Sequence, residues 1–144
     1  ARLSAMAGQG MQSLGELLRT RFGTESTLLV GSATYTGSVL SGRDWGAPVA
    51  TLPVPPAIEG SFEDLMHRAG HAVAYWLFAP GDRHDGPLAA PCGLRAIGVV
   101  YQPEFDARDN YLATILPGRF DAFIFIDRTR ALEIPPSPSE KERP

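Results

Sequence analysis

Cysteine is nearly absent from this chain of 144 residues: Cys92 is the only one. That excludes an internal disulfide and a cysteine-based zinc site, and it fits a cytoplasmic protein. Charge of one sign is also scarce. Lys and Arg total 13 against 16 Asp and Glu, a net charge of -3, and the basic residues form no stripe or block. Nucleic acid and membranes are therefore not expected as partners. The longest apolar run, residues 72–79, falls far short of the ~20 residues that a membrane span needs. The opening "ARLSAMAGQG" has no basic-then-apolar order and no initiator Met, so the expected start is a processed end or a cut inside a longer protein.

Familiar catalytic signatures are missing too. There is no G-x-S-x-G elbow, no P-loop and no dinucleotide fingerprint, and "GSATYTG" has two glycines at the wrong spacing for phosphate. Cys92 sits between Pro91 and Gly93 with no evident activating partner, so no catalytic thiol is expected. No cofactor and no metal are expected.

What the chain does have is an alternation of apolar runs and capped helices. Ser13-Leu14-Gly15-Glu16 has the form of a capping box, with Leu14, Leu17, Leu18 and Phe22 at core spacing and Gly23 as the stop. Residues 27–34 read as a strand buried on both faces, residues 35–46 as a loop, and 48–56 as a proline-rich extended connection. Ser61 opens a second helix that Gly70 ends. Strands are expected over 72–78, 96–101 and 121–127, a surface loop over 80–91, and a helix over 110–116. Residues 135–144, "PPSPSEKERP", read as a disordered tail after a unit covering 1–134. The expected fold is α/β: a mixed or mostly parallel sheet of about four strands with packing helices, part of a larger domain.

Two candidate sites follow. His67 and His71 in "HRAGH" are spaced i and i+4, as zinc ligands on one helix face would be, but the general-base Glu of H-E-x-x-H is absent and Gly70 should end the helix between them. His67 lies nearly opposite the stripe of Phe62, Leu65, Met66 and Ala69, so a solvated surface histidine is the expected reading. The rival is a neutral imidazole in a cleft, with His67 as a catalytic candidate. Asp82-Arg83-His84-Asp85 gathers charge in an exposed turn with too few fixed ligands for a cation. The second site is positional. In open α/β sheets ligands bind beyond the carboxyl ends of the strands, where Thr34, Tyr35, Thr36 and Gly37 are expected, followed by Arg43 and Asp44. These are the candidate substrate-binding residues.

Four fragments, in order, resemble the C-terminal part of the erythromycin esterase family: "LGELLRTRFG" at 14–23, "VGSATYTGSV" at 30–39 with "DWG" at 44–46, "FEDLMHRAG" at 62–70, and "LRAIGVVYQPEFDARDNYLATILPGRFDAFIFIDRTRALEI" at 94–134. The resemblance implies an α/β fold and hydrolysis of a carboxylic ester. In the best-known members the substrate is the macrolactone of erythromycin, and the outcome is antibiotic resistance. The family mechanism uses a histidine to activate water. The catalytic His and Glu motifs lie in the family's N-terminal part, and another His-bearing motif falls just before the segment resembling 1–23. None has a counterpart here, although His67 matches a histidine common in the family's "LxH" helix. The resemblance thus implies a unit that shapes the wall of a cleft for a small-molecule ester. The base would come from the N-terminal part of the same enzyme. The alternative is a non-catalytic binding or interaction module. A partial sheet leaves open edges and bare apolar faces, so the chain is expected to self-associate when expressed alone.

Overall fold

The computed structural model describes residues 12–79, 81–86 and 88–133. The tail at 135–144 lies outside the described residues. Helix α1 (Leu14–Phe22) starts where the capping box places it: the Ser13 hydroxyl accepts the Glu16 N–H, and Gly23 ends the helix. Its hold on the rest is slight. Gly15 lies against Leu29, and Arg19 pairs with Asp121, whose carboxylate also accepts the Leu29 N–H.

The sheet is mixed and four-stranded, in the order β2-β1-β6-β3. Strand β1 (Val30–Ser41) runs parallel to β6 (Ala122–Thr129), which is antiparallel to β3 (Val73–Leu77) on its other side. Residues 35–41, expected in a loop, continue β1. At Gly37 the strand changes partner, from β6 to an antiparallel pairing of Gly37–Ser41 with β2 (Ala50–Val54). Gly37 has φ +145, and a Cβ there would sit 2.1 Å from the Thr129 carbonyl oxygen, so no other residue fits this approach. The proline-rich connection thereby contains a strand. It tolerates Pro53 because β2 is the edge strand.

Two further expectations give way. Residues 96–101 are not a strand: the pairing falls one segment earlier, in β4 (Cys92–Arg95), whose partner β5 (Tyr111–Thr114) occupies the segment expected to be helical. Aromatic and β-branched residues at 111 and 114 suit that ladder, and Pro117 starts the short helix α5 (Leu116–Arg119) just beyond it. Residues 96–101 instead cross to the β1–β2 hairpin, where one parallel bridge joins Gly42 and Val100. Two single-turn helices, α3 (Asp82–Asp85) and α4 (Asp106–Asp109), complete the outline.

Helix α2 (Phe62–Arg68) covers one face of the sheet. Phe62 is fully buried and meets Trp76, Phe123 and Phe125 edge-on, with Leu94 and Leu116 closing this core. A smaller cluster of Leu52, Val54 and Tyr101 lies under the hairpin. The opposite sheet face is open over most of its area, although Ala122 within it is buried. Leu77, Ala122 and Val30 line up across three strands, as do Tyr75, Ile124 and Ser32, and Val73, Ile126 and Thr34. Tyr75 and Leu77 are each 75% exposed, and none of these nine residues is charged. Among the described residues no helix is long and apolar enough to cross a membrane.

Candidate active-site wall at the carboxyl end of the sheet

Helix α2 begins at Ser61, whose hydroxyl accepts the Asp64 N–H, and ends before Gly70, where φ is +80. Its buried face keeps only part of the stripe that periodicity picks, Phe62 and Met66. Leu65 is exposed, whereas Glu63 is fully buried and His67, one turn later, faces the sheet end. The reason is a polar tether: the Glu63 carboxylate accepts the Arg95 N–H at 2.8 Å. Burial pushes the Glu63 carboxyl above its ordinary value, against the opposing pull of the Arg95 N–H and guanidinium.

Arg95 is the keystone. Only 3% of its side chain is exposed, and its guanidinium donates to the carbonyls of Thr34, Tyr35 and Pro55 while pairing with Asp106 at 3.1 Å. It satisfies the edge of β1 where β2 has not yet begun to pair. Asp106 also accepts the Tyr101 hydroxyl at 2.9 Å, and burial raises the Tyr101 phenol well above its usual range. Strand β1, strand β4, helix α2 and the hairpin connection thus converge on one cation.

On that support sits His67. Its Nδ1 lies 2.7 Å from Asp127 Oδ1, and its ring stacks on Tyr35 with centroids 3.7 Å apart and planes 1° from parallel. Asp127 stands near the end of β6 and Tyr35 in β1, both at the carboxyl end of the parallel pair. Asp127 is thus the partner that orients this histidine. The imidazole remains 43% exposed, and among the described residues nothing hydrogen-bonds its Nε2. A carboxylate-held imidazole of this kind can carry a proton to or from a ligand.

The other candidates divide. Tyr35 joins His67 through its ring. Thr34 follows the opposite parity, in the row of Ile126 and Val73, and its hydroxyl is bound to the carbonyls of Thr36 and Asp127 and accepts from Thr129. The Thr36 hydroxyl donates to the Val54 carbonyl. These hydroxyls brace the strand ends. Arg43 and Asp44 lie beyond Ser41, and the six steps from Tyr35 to Ser41 span ~20 Å of strand. The structure therefore does not bring them to His67. Arg43 pairs with exposed Glu104 at 2.7 Å, and that pairing helps hold the Glu104 carboxyl below its ordinary value, after the hydrogen bond from its own backbone.

"HRAGH" resolves into two unlike histidines: His67 is held by Asp127, and His71, past the Gly70 turn, is exposed. No cluster of three His, Cys, Asp or Glu suited to a metal occurs among the described residues. Sequence reasoning missed Asp127, Glu63 and Arg95. Only Asp127 had left a signal: in "AFIFID" it falls on the parity of Phe123 and Phe125, so a carboxylate ends a core-facing row.

A crystal structure of a succinoglycan biosynthesis protein superposes with a TM-score of 0.62 at 18% identity, covering 89% of this chain. The chain spans 30% of the length of that protein, and the likeness shows a shared fold. The family model described as erythromycin esterase matches residues 1–129, and on that extent the chain belongs to the erythromycin esterase family.

Proposed function

We propose that this unit works in a hydrolase of carboxylic ester bonds, macrolactones among them, as one wall of the substrate cleft over the carboxyl ends of β1 and β6. The observation that carries the reading is His67, fixed by Asp127 and Tyr35 at that end of the sheet, in a chain of a hydrolase family. The base that deprotonates water is assigned to the N-terminal part of the same enzyme. The direct test expresses the chain in its complete natural reading frame and follows acid release from an ethyl ester, a macrolactone and a p-nitrophenyl ester. Turnover of these esters is expected, and its absence for all three overturns the reading.

A second reading, a non-catalytic interaction module, draws on the bare face of Val30, Val73, Tyr75, Leu77, Ile124 and Ile126. Parallel strands are ordinarily covered on both faces, so this surface suits a protein layer. On either reading the isolated chain self-associates through it. Saturable binding of a macrolide or a protein without turnover would favour the module.

A further inference from the structure

We infer that His67 is the general acid of this wall, delivering a proton from Nε2 to the alcohol that leaves as the ester is cleaved; the inference rests on the hydrolase reading above. An ionised carboxylate only accepts hydrogen bonds, so the 2.7 Å contact places a hydrogen on Nδ1 and leaves Nε2 as the nitrogen that exchanges protons with a ligand. Asp127 also places a carboxylate beside the imidazolium from which such a donor acts, and the ring is left neutral once the proton has gone. Tyr35 covers one ring face at 3.7 Å, so rotating the ring would forfeit both the stack and the Asp127 bond. The result is a fixed donor direction on a half-exposed ring. Among the described residues no side chain hydrogen-bonds Nε2, so none of them is a nucleophile that His67 activates.

Alkoxides are poor leaving groups, and a cleft that cuts alkyl esters needs a proton at the departing oxygen. In the step assigned here, water adds to the acyl carbon while the base supplied elsewhere takes its proton. The tetrahedral intermediate then breaks its bond to the alkoxy oxygen. That bond's electron pair goes to the oxygen, which takes the Nε2 proton. The products are the carboxylic acid and the alcohol, and the neutral ring regains its proton from the base through solvent. Tyr35 is a positioning residue in this scheme, since it acts only through the His67 ring.

The experiment compares two esters of one acid, an ethyl ester and a p-nitrophenyl ester, in the complete reading frame. p-Nitrophenolate departs without a proton. His67→Ala is expected to lower kcat/KM for the ethyl ester by ~100-fold or more while leaving p-nitrophenyl turnover nearly unchanged. Asp127→Asn and Tyr35→Ala, which removes the stack, should each show the same split more weakly. Retained p-nitrophenyl turnover also certifies that each variant is folded. Equal losses on both esters mean a base or a structural role, and no loss on either means a bystander. Each of those results overturns the inference while leaving the hydrolase reading intact. A wild-type protein inert toward both esters removes the reading and this role together.

Discussion

The two faces of the sheet are made of similar residues and meet opposite fates. On one, Phe123 and Phe125 are fully buried beneath Phe62; on the other, Ile124 and Ile126 of the same strand stand against solvent with Tyr75 and Leu77. Composition does not separate them, because "AFIFI" is apolar at every position. What separates them is the presence of a capped helix with a phenylalanine aimed at one side. Burial is thus decided by which element can reach a face, and an apolar face left open is an invitation to another layer of protein.

The largest way to break this comparison is to hollow the covered face. Phe62→Ala is expected to cost about 3–5 kcal/mol in urea unfolding, whereas Tyr75→Ala, measured dilute enough to keep the chain monomeric, should stay within about 0.5 kcal/mol. Comparable losses would show that the outer face is also buried in solution. Next in size, Leu77→Lys should shift the isolated chain toward monomer in sedimentation velocity. An unchanged distribution would place self-association elsewhere.

The smallest effect concerns a charge hidden on the covered side. Glu63 has its folded value raised above 4.5, so the folded protein binds a proton more tightly than the unfolded chain. Its stabilising contribution is complete below 4.5 and is lost as pH rises through the raised folded value. Glu63→Gln keeps an acceptor for the Arg95 N–H and should flatten that slope in melting temperature. An equal slope in the variant assigns it to another group.

Much of the scaffold was legible. Ser13 and Ser61 announce their helices through the same hydroxyl-to-backbone bond, and the runs around β3 and β6 are apolar enough to need no partner to be recognised. The strands that escaped are those defined by their neighbours. Strand β2 carries a proline and is admitted because it is an edge, and the four-residue β5 exists only against β4. Among the site residues His67 stood out by type, but its meaning depends on Asp127, sixty residues away. Glu63 was illegible because its burial answers to the Arg95 N–H, which no periodicity on α2 can report.

Strand β1 serves two masters, and the handover at Gly37 has a consequence for how the molecule can diversify. The stretch before it is tied to β6, Arg95 and the imidazole; the stretch after it is tied to β2, to the crossing segment and to Ala131, whose N–H the Ser38 hydroxyl accepts. Lengthening or reshaping residues 42–49 therefore alters the rim without disturbing the His67–Asp127 pair. One strand lets the outer margin drift while its first half stays in register.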